Sequence, residues 1–92
     1  MASDAERLRR AIGARVRELR RAHGPLSQER LAFQAGFDPS FIGRLERGGT
    51  GATVETIAAI CGALGVPLRE FFQPFERPSG LRGPRRRRRA AP

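Results

Sequence analysis

The chain has 92 residues, and its 18 basic side chains, all arginine, outnumber 9 acidic ones to leave a net charge of +9 at pH 7. That length holds one small domain of the usual ~100–150 residues and excludes two-domain clefts and repeat arrays. A single Cys excludes a disulfide framework and the multi-Cys zinc motifs. No apolar run approaches the ~18 residues of a membrane span, and the first ten residues lack the apolar core of a signal peptide. A basic, cytoplasmic domain is expected, with nucleic acid as the first partner to consider.

The first helix begins with Ser3 and Glu6, spaced as a capping box that supplies partners to free N–H groups. Leu8, Ile12, Val16 and Leu19 then form an apolar stripe among arginines, and His23-Gly24-Pro25 ends it. Ser27 offers an N-cap hydroxyl for a second helix of about two turns, residues 28–35, which Gly36 breaks. Asp38-Pro39 restarts the chain, because Asp caps and Pro at the first helical position wastes no hydrogen bond. This third helix runs to about Arg47 with Ile42 and Leu45 inward, and Gly48-Gly49-Thr50-Gly51 stops it.

A fourth helix opens at Thr53, with Val54, Ile57, Cys61 and Leu64 as its stripe and Gly65 as its end. Pro67 starts a short fifth helix over residues 68–72, and Pro74 ends regular structure. Five short helices and no strand make an all-α bundle with one core over residues 1–75. That segment carries only +3 of the charge, since it holds eleven Arg and eight acids. Residues 76–92 carry the remaining +6 and include Arg85, Arg86, Arg87, Arg88 and Arg89, with Leu81 the one large aliphatic. So little apolar surface cannot offset the ordering entropy, so this tail is expected to be disordered.

Residues 27–47 read as two short helices joined by a tight turn, the arrangement that lets a second helix enter a DNA groove ~12 Å wide. The small Ala32 and Ala35 allow a close crossing. Ser40, Gly43, Arg44 and Arg47 fall on the outward face of the third helix. The segments Leu26 to Ala32, Ala35-Gly36 and Phe41 to Gly48, then Ala63 to Leu68 with Phe71-Phe72, resemble the phage-repressor/Cro (XRE) family of helix-turn-helix regulators. The resemblance covers about residues 7–73 and implies a five-helix lambda-repressor-like fold that binds double-stranded DNA and regulates transcription.

Matched position by position, the resemblance puts base reading on Pro39, Ser40, Gly43 and Arg44, and a phosphate contact on Gln28. Arg44 is the strongest reader, because a guanidinium donates twice to guanine O6 and N7. Pro39 and Gly43 add only shape. Arg47, Thr50 and Thr53 surround the following loop and are candidates for phosphate contact. A carboxylate at Glu46 would be repelled by DNA, and the resemblance pairs it with Arg20 or Arg21 of the first helix. The chain departs from the family at Phe33, where a polar residue is usual, at the loop GGTGAT, which lacks Pro-Ser, and in the arginine tail.

No nucleophile–base pairing, cofactor motif or metal-ligand set is visible, so no enzyme activity is expected. His23 reads as a polar residue near a helix end, and Cys61 as a small core residue. Phe71, Phe72 and Phe75 exceed what one short helix buries. Either Leu68 and one Phe enter the core with the rest as cover, or the surplus is a homodimer seam, which is the favoured reading. Phe33 is either surface scatter or part of a partner contact. The arginine block tracks DNA phosphates or a minor groove, binds RNA, or aids solubility. The expectation is a dimeric DNA-binding regulator at the nucleoid; the rivals are an antitoxin that represses its own operon with a toxin partner, and a non-specific nucleic-acid coat driven by the tail.

Overall fold

The structure, a computed structural model, describes residues 2–24 and 26–75. Pro25 and the tail, including Arg85 to Arg89, lie outside the described residues. The element order is α1 (Asp4–Ala22), α2 (Gln28–Ala35), α3 (Pro39–Glu46), α4 (Val54–Leu64) and α5 (Leu68–Phe72), followed by a 3₁₀ turn (Gln73–Phe75). Among the described residues there is no strand, and no helix is long and apolar enough to cross a membrane.

Local chemistry sets the helix starts. Ser3 Oγ accepts from the Glu6 N–H at 3.1 Å while Glu6 accepts from the Ser3 N–H at 2.9 Å, a complete capping box. Ser27 and Thr53 cap α2 and α4 one way only, their hydroxyls accepting from the N–H groups of Arg30 and Thr56. At the end of α2, Gly36 adopts φ +83°, which bends the chain sharply enough for Phe37 N–H to reach Ala32 O at 2.8 Å. That turn delivers α3 across α2.

Val16, Leu19, Leu31, Ala32, Ile42, Leu45, Ile57, Ile60, Cys61, Leu64, Val66 and Phe71 form the core. The α2–α3 pair is the most extensively packed, with α1 across α3 and α4 against α2. Gly13 permits the tightest crossing: a Cβ there would overlap the Leu45 carbonyl oxygen and lie 2.8 Å from that of Glu46. α1 therefore rests directly on the backbone of α3.

Two expected core positions differ. Val54 is 64% exposed, because it is the first residue of α4 and projects past the core; Ile60 takes its place in the apolar stripe. Leu68, also first in its helix, is 39% exposed, and Val66 is buried instead. Phe71 is fully buried and cannot belong to a dimer seam. Its ring centroid lies 5.0 Å from Phe72 and 6.3 Å from Phe75, so much of the aromatic surplus is satisfied within the chain. Phe72 and Phe75 stay half-buried, whereas Phe33 is 81% exposed.

Candidate nucleic-acid interface

α3 is capped by Asp38, whose Oδ1 accepts from the Ser40 N–H at 3.0 Å, and carries Pro39 in its first turn. Ile42 and Leu45 are buried against the body, which turns Pro39, Ser40 and Arg44 to solvent along one edge. Three of the four expected base-reading positions thus share an accessible edge. Gly43 does not. It is buried, and a Cβ there would lie 3.2 Å from Arg47 Nη1 and 3.3 Å from Gln28 Oε1. Its smallness lets those two side chains fold over α3, so its contribution is to packing.

Glu46 is withdrawn from the open edge of α3. Its carboxylate accepts from Arg20 Nε at 2.7 Å, Arg20 Nη2 at 3.0 Å and Gln28 Nε2 at 2.9 Å, with the side chain only 3% exposed. The hydrogen bond to Glu46 raises the Arg20 pKa above its ordinary value against the opposing effect of burial, and the Glu46 charge adds to the rise. Of the two partners considered, Arg20 makes the pair. Arg21 is exposed, because one residue further along the helix is a rotation of ~100° away from α3.

Gln28 gives one of its two N–H donors to Glu46 and keeps the other. Thr53 caps α4 and donates its hydroxyl to Thr56 Oγ1 at 3.1 Å, while Thr50 donates weakly to Gly51 O at 3.4 Å. Arg47 is exposed at the end of α3. The loop over 48–53 follows directly on the last turn of α3, where the Gly49 N–H donates to Arg44 O at 2.9 Å.

Sequence reasoning missed two features. Arg44 Nη1 donates to Ser40 Oγ at 3.1 Å, Ser40 donates to Asp38 Oδ1 at 2.8 Å, and the Arg44 guanidinium carbon lies 5.8 Å from the Phe41 ring centroid. The spacing of Ser40 and Arg44, four apart on a helix, is the signal that could have revealed it. Hydrogen bonds from the Ser40 N–H and then its hydroxyl hold the Asp38 carboxyl below the usual carboxylate range, and the Arg44 charge adds to them. The second feature is long-range: Arg9 and Arg10 of α1 lie against the loop, with Gly48 at φ +76° close to the Arg10 backbone and Gly51 close to the Arg9 stem. No local pattern announces that contact.

Residues 11–71 match a family model described as a helix-turn-helix domain. An HTH-type transcriptional regulator of Sinorhizobium fredii, y4dJ, is 37% identical over 76 residues, covering 82% of this chain and 97% of that protein. The control protein C.BamHI of Bacillus amyloliquefaciens is 36% identical over 65 residues, covering 71% and 80%. Among solved structures, the restriction-modification controller protein C.AhdI from Aeromonas hydrophila superposes with a TM-score of 0.70 at 41% identity, over 76% of this chain and all of that one. The clp gene regulator ClgR from C. glutamicum gives 0.67 at 32% identity, over 72% and 83%. With its open α3 edge and its buried Arg20–Glu46 pair, the chain belongs to the helix-turn-helix family of DNA-binding transcriptional regulators, of the phage-repressor/Cro type.

Proposed function

We propose that the protein reads double-stranded DNA by sequence, with α3 in the major groove and Arg44 as its principal base-reading side chain. The observation that carries this reading is the exposed edge of Pro39, Ser40 and Arg44 on a helix whose acidic residue, Glu46, is already neutralised from behind. Arg44 suits guanine, and the Ser40 oxygen, its proton held by Asp38, can accept from an adjacent base. Gln28, Arg47, Thr50, Thr53, Arg9 and Arg10 fix register on the phosphates. The arginines of residues 76–92 add affinity with little selectivity.

One short helix in one groove binds weakly, which supports a twofold dimer reading half-sites ~34–36 Å apart. Exposed Leu68 with half-buried Phe72 and Phe75 offers apolar surface for its seam at the α5 end. Such a regulator works where the chromosome is, at the nucleoid. The likeness to two control proteins, one of a restriction–modification system, supports a finer reading in which the target lies upstream of restriction–modification genes.

Selection of bound fragments from genomic DNA tests all of this. A sequence-specific regulator enriches a two-half-site motif and prefers it over random DNA by ~10³-fold or more. A preference below ~10-fold supports the non-specific coat instead. Motifs upstream of a toxin gene support the antitoxin reading.

A further inference from the structure

We propose that Asp38, which presents no donor to a base, is a positioning residue that sets how selectively Arg44 reads DNA. The inference rests on the reading of Arg44 as the base-reading side chain. An arginine on an exposed helix face samples many rotamers, and that freedom is lost when it docks. Here it is restricted in advance. The Ser40 hydroxyl has one proton, and Asp38 Oδ1 takes it at 2.8 Å; the lone pairs of Ser40 Oγ then face Arg44 Nη1, which donates at 3.1 Å. The Phe41 ring supports the guanidinium at 5.8 Å and is itself backed by Phe37, 4.9 Å away between centroids.

Asp38 therefore has two separable tasks. It caps α3 through the Ser40 N–H, and it fixes the direction of the Ser40 hydroxyl, which in turn holds Arg44. Without the carboxylate the hydroxyl is free to donate elsewhere and Arg44 is released.

The test uses full-length protein and reads the ratio of affinities for the selected motif and for random DNA, together with the melting temperature. Asp38→Ser keeps a good N-cap but is too short to hold both the helix and the Ser40 hydroxyl. It should keep the melting temperature and lower the ratio by about three- to tenfold, the effect of one lost hydrogen bond. Asp38→Asn retains an acceptor at the same reach and should restore the ratio to within about twofold of the natural chain. In an Arg44→Ala background, Asp38→Ser should change the ratio no further. The proposal is overturned by a full ratio in Asp38→Ser, or by an equal further loss in the Arg44→Ala background. An unchanged ratio in Arg44→Ala alone instead overturns the reading beneath it.

Discussion

The guanidinium of Arg20 grips the carboxylate of Glu46 with two parallel hydrogen bonds, at 2.7 and 3.0 Å, and sends Nη1 to the Leu26 carbonyl at 2.7 Å. One side chain of α1 thereby fixes both the end of α3 and the chain that enters α2. Removing a single partner leaves a buried charge without its counter-ion. Glu46→Ala should lower stability by about 3–5 kcal/mol, whereas the paired change Arg20→Met with Glu46→Leu should lose far less. Urea denaturation of the two variants checks this, and equal losses would argue against a buried, unpaired charge as the cause.

Gly13 sets the distance between α1 and α3. A methyl group there collides with the Leu45 carbonyl, which is backbone and cannot rotate away. Gly13→Ala should therefore destabilise by roughly 1–3 kcal/mol despite the better helix propensity of Ala. For a domain of this size that lowers the melting temperature by about 4–8 °C per kcal/mol. Thermal denaturation followed by circular dichroism measures it. A rise in melting temperature would show that the two helices separate at no cost.

Arg15 holds the end of the domain. Its Nε donates to Phe71 O at 2.9 Å and its Nη2 donates to Glu70 O, at 2.6 Å, while Nη1 pairs with Glu18 at 3.0 Å. α5 has only five residues, too few to persist alone, and its last carbonyls have no partner within the helix. Arg15→Met should cost about 1.5–3 kcal/mol through the lost charge-assisted bonds. Amide exchange should accelerate first at Phe71 and Phe72, ahead of α2 and α3.

How much of this was legible in sequence depended on how local the cause is. Ser3 with Glu6, Ser27, Asp38 and Thr53 announce helix starts because each cap acts within three residues, and all four are found where the spacing predicts. The choice of Arg20 over Arg21 was not legible, since it depends on the angle at which α1 crosses α3 and hence on the loop between α1 and α2. Gly13 gave no signal because the carbonyl it admits lies 32 residues away. Val54 and Ile60 both fit an apolar face, and only the extent of the core decides between them. Gly43 looked like part of the reading edge because rotation alone places it outward, while the side chains of Gln28 and Arg47, one from another helix, cover it.

Cys61 reports on core opening. Burial pushes its thiol above the ordinary cysteine range, with the Arg15 charge opposing and the Glu70 charge adding. A pKa raised on folding contributes stability that is fully present below the unfolded thiol pKa and is lost as pH rises through the folded value. Urea midpoints should fall on the alkaline side of the ordinary thiol range, and this part of the slope should vanish in Cys61→Ala. Alkylation of the native protein at neutral pH should be far slower than in urea, at a rate set by transient opening. Rapid labelling of the folded chain would contradict the burial.

The charge on residues 76–92 makes a separate and quantitative prediction. The net charge of +9 divides into +3 on residues 1–75 and +6 beyond them, from seven Arg and one Glu. Each arginine that contacts a phosphate releases counter-ions, so binding weakens with salt by a logarithmic slope of ~0.9 per contact. Truncation after Phe75 should lower affinity for every duplex and flatten that slope. The ratio between the selected motif and random DNA should stay within about threefold if, as proposed, base reading resides on α3, where mismatches cost ~1–3 kcal/mol each. Binding isotherms at several salt concentrations, for motif and random duplexes in parallel, separate the two contributions. If the preference disappears with the truncation, the tail reads sequence, and the division of labour between Arg44 and the arginine block is wrong.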